Sequence, residues 1–397
     1  MLFISACSKD NKNGQMQTYT IYTPIYQSKT EALASINSGT TAITHAGKLY
    51  IKDNFIFLNE INKGIHVIDN SNPSHPTQIA YLKIPGNLDI AIKGNILYAD
   101  MYTDLLALDI TDIHHAKITG TVNNFFTGRS YVNGHAAITD DQVAVDWTEK
   151  DTTAFIYNYP YPDCQACMFE DAVALNKASV GVAGSMASMV LMNNYLYAIS
   201  EMHSLGIIDV TNPSAPKLDS SFFAGFDLQT IYPFQDKLFL GSAIGMFMYD
   251  VSDPAHPVSI GQFEHGQACD PVISDGDYAY VTLHAGDGCG GEQNELDVIN
   301  IQDLTNSKLV KTYSLIKPTG LSKDGNTLFV CDGTAVKVYN AANPLALRLL
   351  QQIKSNDPYD VIASNKKAMV VSADGLYQYD YSNLNNIRLL SFFAAKK

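Results

Sequence analysis

An all-β propeller of four-stranded blades is the fold class this sequence predicts, on three observations. A strand-and-turn signature recurs to the end of the chain, the interval between copies is nearly constant, and a hairpin turn precedes each copy at a similar offset. The signature is clearest at Gly64-Ile65-His66-Val67-Ile68-Asp69, an apolar run that ends in Asp and is broken by Asn70-Ser71-Asn72-Pro73. It returns at Leu106–Asp109, Gly206–Asp209, Phe247–Asp250, Val298–Asn300, Val338–Asn340 and Gln378–Asp380, with a degenerate copy at Phe155-Ile156-Tyr157-Asn158. From each Asp or Asn to the next the intervals are 40, 49, 51, 41, 50, 40 and 40 residues, the period of one blade.

The second landmark lies about 15 residues before each Asp, where a turn pair separates two short apolar strands. The pairs are Asp53-Asn54, Gly94-Asn95, Asp140-Asp141, Asn193-Asn194, Asp236-Lys237, Asp275-Gly276, Asp324-Gly325 and Asn365-Lys366, all residue types that tolerate positive φ. Within a unit the strands run A to D, as in Asp89–Lys93, Ile96–Met101, Leu105–Ile110 and Ala116–Val122. Eight turn pairs and eight strand C marks predict eight blades. Seven is the alternative, if the degenerate third unit is an elaborated insertion.

A repeat array over residues 40–397 makes one large domain of a 397-residue chain. Tyr outnumbers Trp by 23 to 1, which suits sheets, and a net charge of −14 excludes nucleic acid and anionic membrane surfaces as partners. Residues 1–17 read as a lipoprotein signal remnant and polar tether, because Ile4-Ser5-Ala6-Cys7 resembles the lipobox of bacterial lipoproteins. That resemblance implies a lipid on Cys7 and anchorage in the cell envelope, at the outer membrane, facing periplasm or surface. The alternative is an ordinary start with a free Cys7. Residues 18–39 carry an alternating strand, Tyr19–Tyr26, expected on the edge of the last blade, and a short helix opened by the capping box Ser28-Lys29-Thr30-Glu31.

The turn after each strand C admits two readings, an Asx-turn closed by Pro or a calcium loop, and the missing Gly and distal Glu favour the turn. Leu205-Gly206-Ile207-Ile208-Asp209-Val210-Thr211-Asn212-Pro213, with Gly64–Pro73, Pro85–Ala91 and Gly266–Pro271, resembles the LVIVD-repeat proteins of bacterial cell envelopes. The resemblance implies a β-propeller and no activity.

Aligned by strand B, the units place Lys48, Asp89, His135, Ser188, Gln229, Asp270, Thr319 and Asp360 near the start of strand A, which lines the central channel. The expected consequence is a polar ring at one mouth. It is read either as a hydrated channel wall or as a ligand or cation site in which Asp89, Asp270 and Asp360 supply the acid, structural calcium included. Two long connections, Asn123–Gly134 with Phe125, Phe126, Arg129 and Tyr131, and His284–Asn294, fall on the same face. A third insertion, Tyr157–Pro162, is expected on the opposite face or rim. Of the cysteines, Cys164 with Cys167 and Cys269 with Cys289 are expected as disulfides, and Cys331 as a buried thiol. No nucleophile elbow, metalloprotease, P-loop or dinucleotide motif occurs. The functional expectation is therefore a non-catalytic envelope propeller that binds a protein, glycan or small ligand at the mouth. The runner-up is an extracytoplasmic hydrolase or lyase using His135 with a ring carboxylate.

Overall fold

The computed structural model describes residues 14–157, 185–266, 268, 271–285 and 291–396. Among them, seven blades of four antiparallel strands are formed, each from consecutive strands. Their innermost strands are Ala46–Lys52, Ile90–Lys93, Met189–Met192, Leu228–Phe234, Val272–Ser274, Pro318–Asp324 and Pro358–Ser364, which define blades 1 to 7. Blade 1 takes a short extra strand, Asn37–Ser38, on its outer edge.

The preference for eight blades is thus corrected to seven. The degenerate third copy ends a long strand, Gln142–Tyr157, whose partner is the N-terminal strand Gly14–Ser28 in register from Gly14↔Tyr157 to Ser28↔Gln142. Alternation announces a strand but not its partner, so a two-stranded ribbon and a blade read alike. The turn pair Asp140-Asp141 does make a turn, with Thr139 N bonded to Gln142 O at 2.8 Å, but it opens the ribbon. The expected place of Tyr19–Tyr26 on the last blade is corrected by the same pairing. Spanning about 45 Å at roughly 3.3 Å per residue, the ribbon is held at its base, where Lys29 N bonds Asp141 O and Lys29 Nζ reaches Asp104 at 2.5 Å. The helix there, Lys29–Ala34, is capped by Ser28, whose hydroxyl meets Glu31 Oε2 at 2.7 Å.

Local chemistry explains why every blade has the same shape. Between strands A and B the chain turns through positive φ at Asp53, Gly94, Asn193, Gln235, Gly276, Gly325 and Asn365. After strand C, the Asp or Asn oxygen accepts the backbone N–H two residues on in all seven blades, from Asp69 to Ser71 at 2.8 Å through Asp380 to Ser382 at 2.9 Å. These are Asx-turns. The turn then latches neighbours: Tyr98 Oη donates to Pro213 O, Tyr197 Oη to Pro254 O and Tyr313 Oη to Pro344 O, each from one blade to the next. Blade 7 meets blade 1 through side chains, with Leu49, Ile56 and Leu58 packed against Ile362, Met369 and Val371. Gln378 Nε2 reaches Asn70 Oδ1 at 2.9 Å and Lys396 N reaches Ile43 O at 2.7 Å across that seam.

Candidate functional site

Strand A starts with a β-bulge in blades 1, 4, 6 and 7. In blade 1 the register jumps from Ala46↔Glu60 to Leu49↔Leu58, so Gly47 and Lys48 together face one residue. Blade 4 has the same irregularity at Gln229, blade 6 at Thr319 and Gly320, and blade 7 at Tyr359, next to Asp360.

The starts of strand A in blades 1, 2 and 3 meet in one hydrogen-bonded cluster. Lys48 Nζ lies 2.6 Å from Asp89 Oδ2 and 2.9 Å from Ser188 Oγ, while Ser188 donates to the same carboxylate oxygen from both its hydroxyl and its N–H at 2.8 Å. Lys48 is 2 % exposed and Asp89 3 %. Ahead of blade 3 the segment 185–188 crosses the hub: Ser185 Oγ, fully buried, accepts Leu321 N of blade 6 at 2.9 Å, and Ala187 O accepts Ile231 N of blade 4. The chain itself therefore reaches across the hub at this level.

The positions expected as a ring at one mouth are placed as follows. Lys48, Asp89 and Ser188 satisfy one another, the first two buried and Ser188 half-buried. Asp360 is wholly buried, with Oδ1 accepting Val361 N and Oδ2 accepting nothing; burial pushes its carboxyl up to about 8, against the smaller pull of Val361 N–H and Lys48. Gly320 makes room for it, since a Cβ there would stand 2.5 Å from Asp360 Oδ1. Thr319 staples blades, its hydroxyl donating to Pro358 O at 3.0 Å and its carbonyl accepting from Thr282 at 2.6 Å. Gln229 is half-buried in its bulge. His135 does not join them: it is exposed in the small hairpin Tyr131–Val132/His135–Ala136, outside the blades, its ring 6.2 Å from Trp147. Asp270 lies outside the described residues, as do Cys7, Cys164, Cys167, Cys269, Cys289 and most of the Tyr157–Pro162 insertion; Cys331 is a buried thiol.

The loop Asn123–Gly134 is anchored rather than open. Phe125 and Phe126 are buried, and Arg129 pairs with Asp100, bonds Asn62 Oδ1 at 3.2 Å and covers the Tyr102 ring. Tyr131 alone of its named residues stands out in solvent.

Sequence reasoning missed a set of carboxylates at the end of strand B that hold the loop entering strand A of the same blade. Glu60 accepts the N–H groups of Thr44 and His45, Asp100 those of Leu88 and Asp89, and Asp332 those of Ile316 and Lys317. An acid closing an apolar strand was the available signal. Glu60 also takes His66 Nε2 at 2.9 Å, the His tautomer being set by Gln78, which donates to Nδ1. Burial alone would raise the Glu60 carboxyl; the His66, Thr44 and His45 hydrogen bonds outweigh it and bring it down to about 2. The stability it contributes is thus complete above its unfolded value near 4.5 and is lost as pH falls toward 2. Glu60→Gln is expected to cost about 2–3 kcal/mol at neutral pH and to flatten the acid limb of a thermal unfolding series; an unchanged acid limb would show that Glu60 is not the group responsible.

Beside the hub, the face bearing the B–C turns and D–A connections carries an aromatic cluster. Phe223 and Phe226 lie 5.0 Å apart edge to face and His203 sits 5.5 Å from Phe226, its Nδ1 fixed by Asp227 N at 3.1 Å. Phe223 is 58 % exposed and Phe226 55 %, with Met202 at 60 % in the same B–C turn.

The fold defines a β-propeller of four-stranded blades. The chain carries LVIVD repeats, matched over residues 44–81 and 183–223. A search of the curated proteins finds no match. Among solved structures it resembles BamB from Moraxella catarrhalis, at 11 % identity and TM-score 0.51 over 90 % of this chain and 99 % of that one. It also resembles the periplasmic gluconolactonase PpgL of Pseudomonas aeruginosa, at 11 % and 0.55 over 88 % and 95 %. PorZ, a surface component of the type-IX secretion system of Porphyromonas gingivalis, aligns at 13 % and 0.52 over 91 % of this chain but only 40 % of its own length. At such identities these likenesses establish the fold.

Proposed function

We propose that this protein is a non-catalytic propeller, anchored in the cell envelope through a lipid on Cys7, that holds a polypeptide partner on the face bearing the B–C turns. The observation that carries the reading is the exposed cluster of Phe223, Phe226 and His203, preset by its own hydrogen bond and ring contacts. Exposed aromatics rimmed by polar loops are what protein interfaces use as anchors. The acid/base alternative has less support, because His135 lies in a hairpin outside the blades and Asp89 is already engaged by Lys48 and Ser188.

A photo-crosslinking residue at Phe226 is expected to capture one polypeptide in envelope fractions, and the same residue at Leu309 on an outer strand none. Phe223→Ser should abolish the adduct. Equal capture at both positions, or a carbohydrate adduct at Phe226, would overturn the polypeptide reading. Palmitate labelling that persists in Cys7→Ala would remove the anchor.

A further inference from the structure

We propose that the groove at the seam between blades 7 and 1 is a binding site for a sugar acid, a hydroxylated monocarboxylate of one or two sugar units. Its volume, about 520 Å³, is that of a small-molecule site, and Thr44, His45, Lys63, Asp374 and Lys396 line it. Four separate stretches of chain meet there: the entry to blade 1, its B–C turn, the B–C turn of blade 7, and the end of the last strand.

The chemistry of the lining selects the ligand. Lys63 and Lys396 are exposed and, among the described residues, neither has an ion-pair partner, although the chain holds 40 acidic and 26 basic residues. Two unpaired ammonium groups in one concavity are a site for a carboxylate. His45 is held by its backbone, whose N–H bonds Glu60 Oε1 at 2.7 Å, and by its ring, with Nδ1 3.3 Å from the Thr44 hydroxyl that itself donates to Glu60; Nε2 is left for a ligand. Asp374 sets the opposite requirement. Its Oδ1 is buried and accepts nothing from the protein, while its Oδ2 accepts Tyr377 Oη at 2.7 Å and keeps lone-pair capacity for a ligand hydroxyl; the carboxylate repels a second negative charge. A phosphate dianion would meet that carboxylate, and the ammonium of an amino acid would meet two lysines. A carboxylate with neighbouring hydroxyls matches both ends. Backbone bonds, Lys396 N to Ile43 O at 2.7 Å across the seam and Ile61 N to His45 O at 3.0 Å within blade 1, hold the walls in place before binding.

The inference depends neither on the aromatic cluster nor on the anchor. Calorimetry on the full chain with D-glucuronate is expected to show saturable binding, with D-glucose and inorganic phosphate each at least about tenfold weaker. Lys63→Ala and Lys396→Ala should each lower affinity about tenfold, the equivalent of one charge-assisted hydrogen bond. Both lysines are exposed, so folding is not at stake, and Phe226→Ser should bind as the parent does. A glucuronate-terminated disaccharide that binds more tightly than the free acid would support the site and assign it to polysaccharide ends. No saturable heat with either acid, phosphate binding as tightly as glucuronate, or unchanged affinity in both lysine variants would overturn the proposal.

Discussion

Replacing Lys48 by Met is expected to lower the free energy of unfolding by about 3–5 kcal/mol. The substitution leaves the Asp89 carboxylate buried without a counter-charge, held by Ser188 and the Ile90 N–H alone, in an interior where Lys48 and Asp89 are 2 % and 3 % exposed. Asp89→Leu should cost a similar amount, since it strands the ammonium. The double variant Lys48→Met/Asp89→Leu should recover most of the loss, because two apolar side chains replace a desolvated pair. Urea unfolding at neutral pH measures all three. Single variants with the parent's midpoint would mean that the hub is wet and the pair worth no more than one at the surface.

Asp360→Asn is expected to stabilise the protein at alkaline pH and to remove part of its pH dependence. Burial pushes this carboxyl up to about 8 from 3.8, so between those values the folded state keeps a proton that the unfolded chain has released. Stability from this group is therefore full below about 4, declines by up to about 1.4 kcal/mol per pH unit across the window, and levels off above 8. Lys48 acts in the opposite sense, and the buried Tyr359 and Cys331 feel the Asp360 charge if it forms. Asn keeps the acceptor for Val361 N without the charge. The difference in melting temperature between parent and variant should widen from pH 5 to pH 8 in favour of the variant. Parallel curves would show that the carboxyl ionises in the fold at its ordinary value.

The period and the Asx-turn were legible because each is local: an apolar run, an Asp and a Pro within ten residues dictate strand and corner with no reference to the remainder of the chain. The strand-A positions were legible as well, since turn and strand B fix where strand A begins, and Lys48, Asp89 and Ser188 do meet. The blade count failed where the partner is remote. Phe155–Tyr157 alternates as a strand C does, yet it pairs with residues more than a hundred positions earlier, and no periodicity encodes that choice. The same miscount put His135 in the ring. The contact across the hub was hidden for a related reason: Ser185 meets Leu321 of a distant blade, and no local pattern encodes that partner. Glu60, Asp100 and Asp332 were visible as acids in apolar strands, but only the fold reveals that each reaches back to cap a loop of its own blade.

Because each blade is a run of four successive strands and the circle is joined by side chains and a few bonds, no strand among the described residues is shared between the first and last blades. One period of coding sequence can therefore be duplicated or deleted without rethreading any other part. The architecture leaves the number of blades open to change by simple recombination, and makes the join between first and last the place where such a wheel would part to admit a new member.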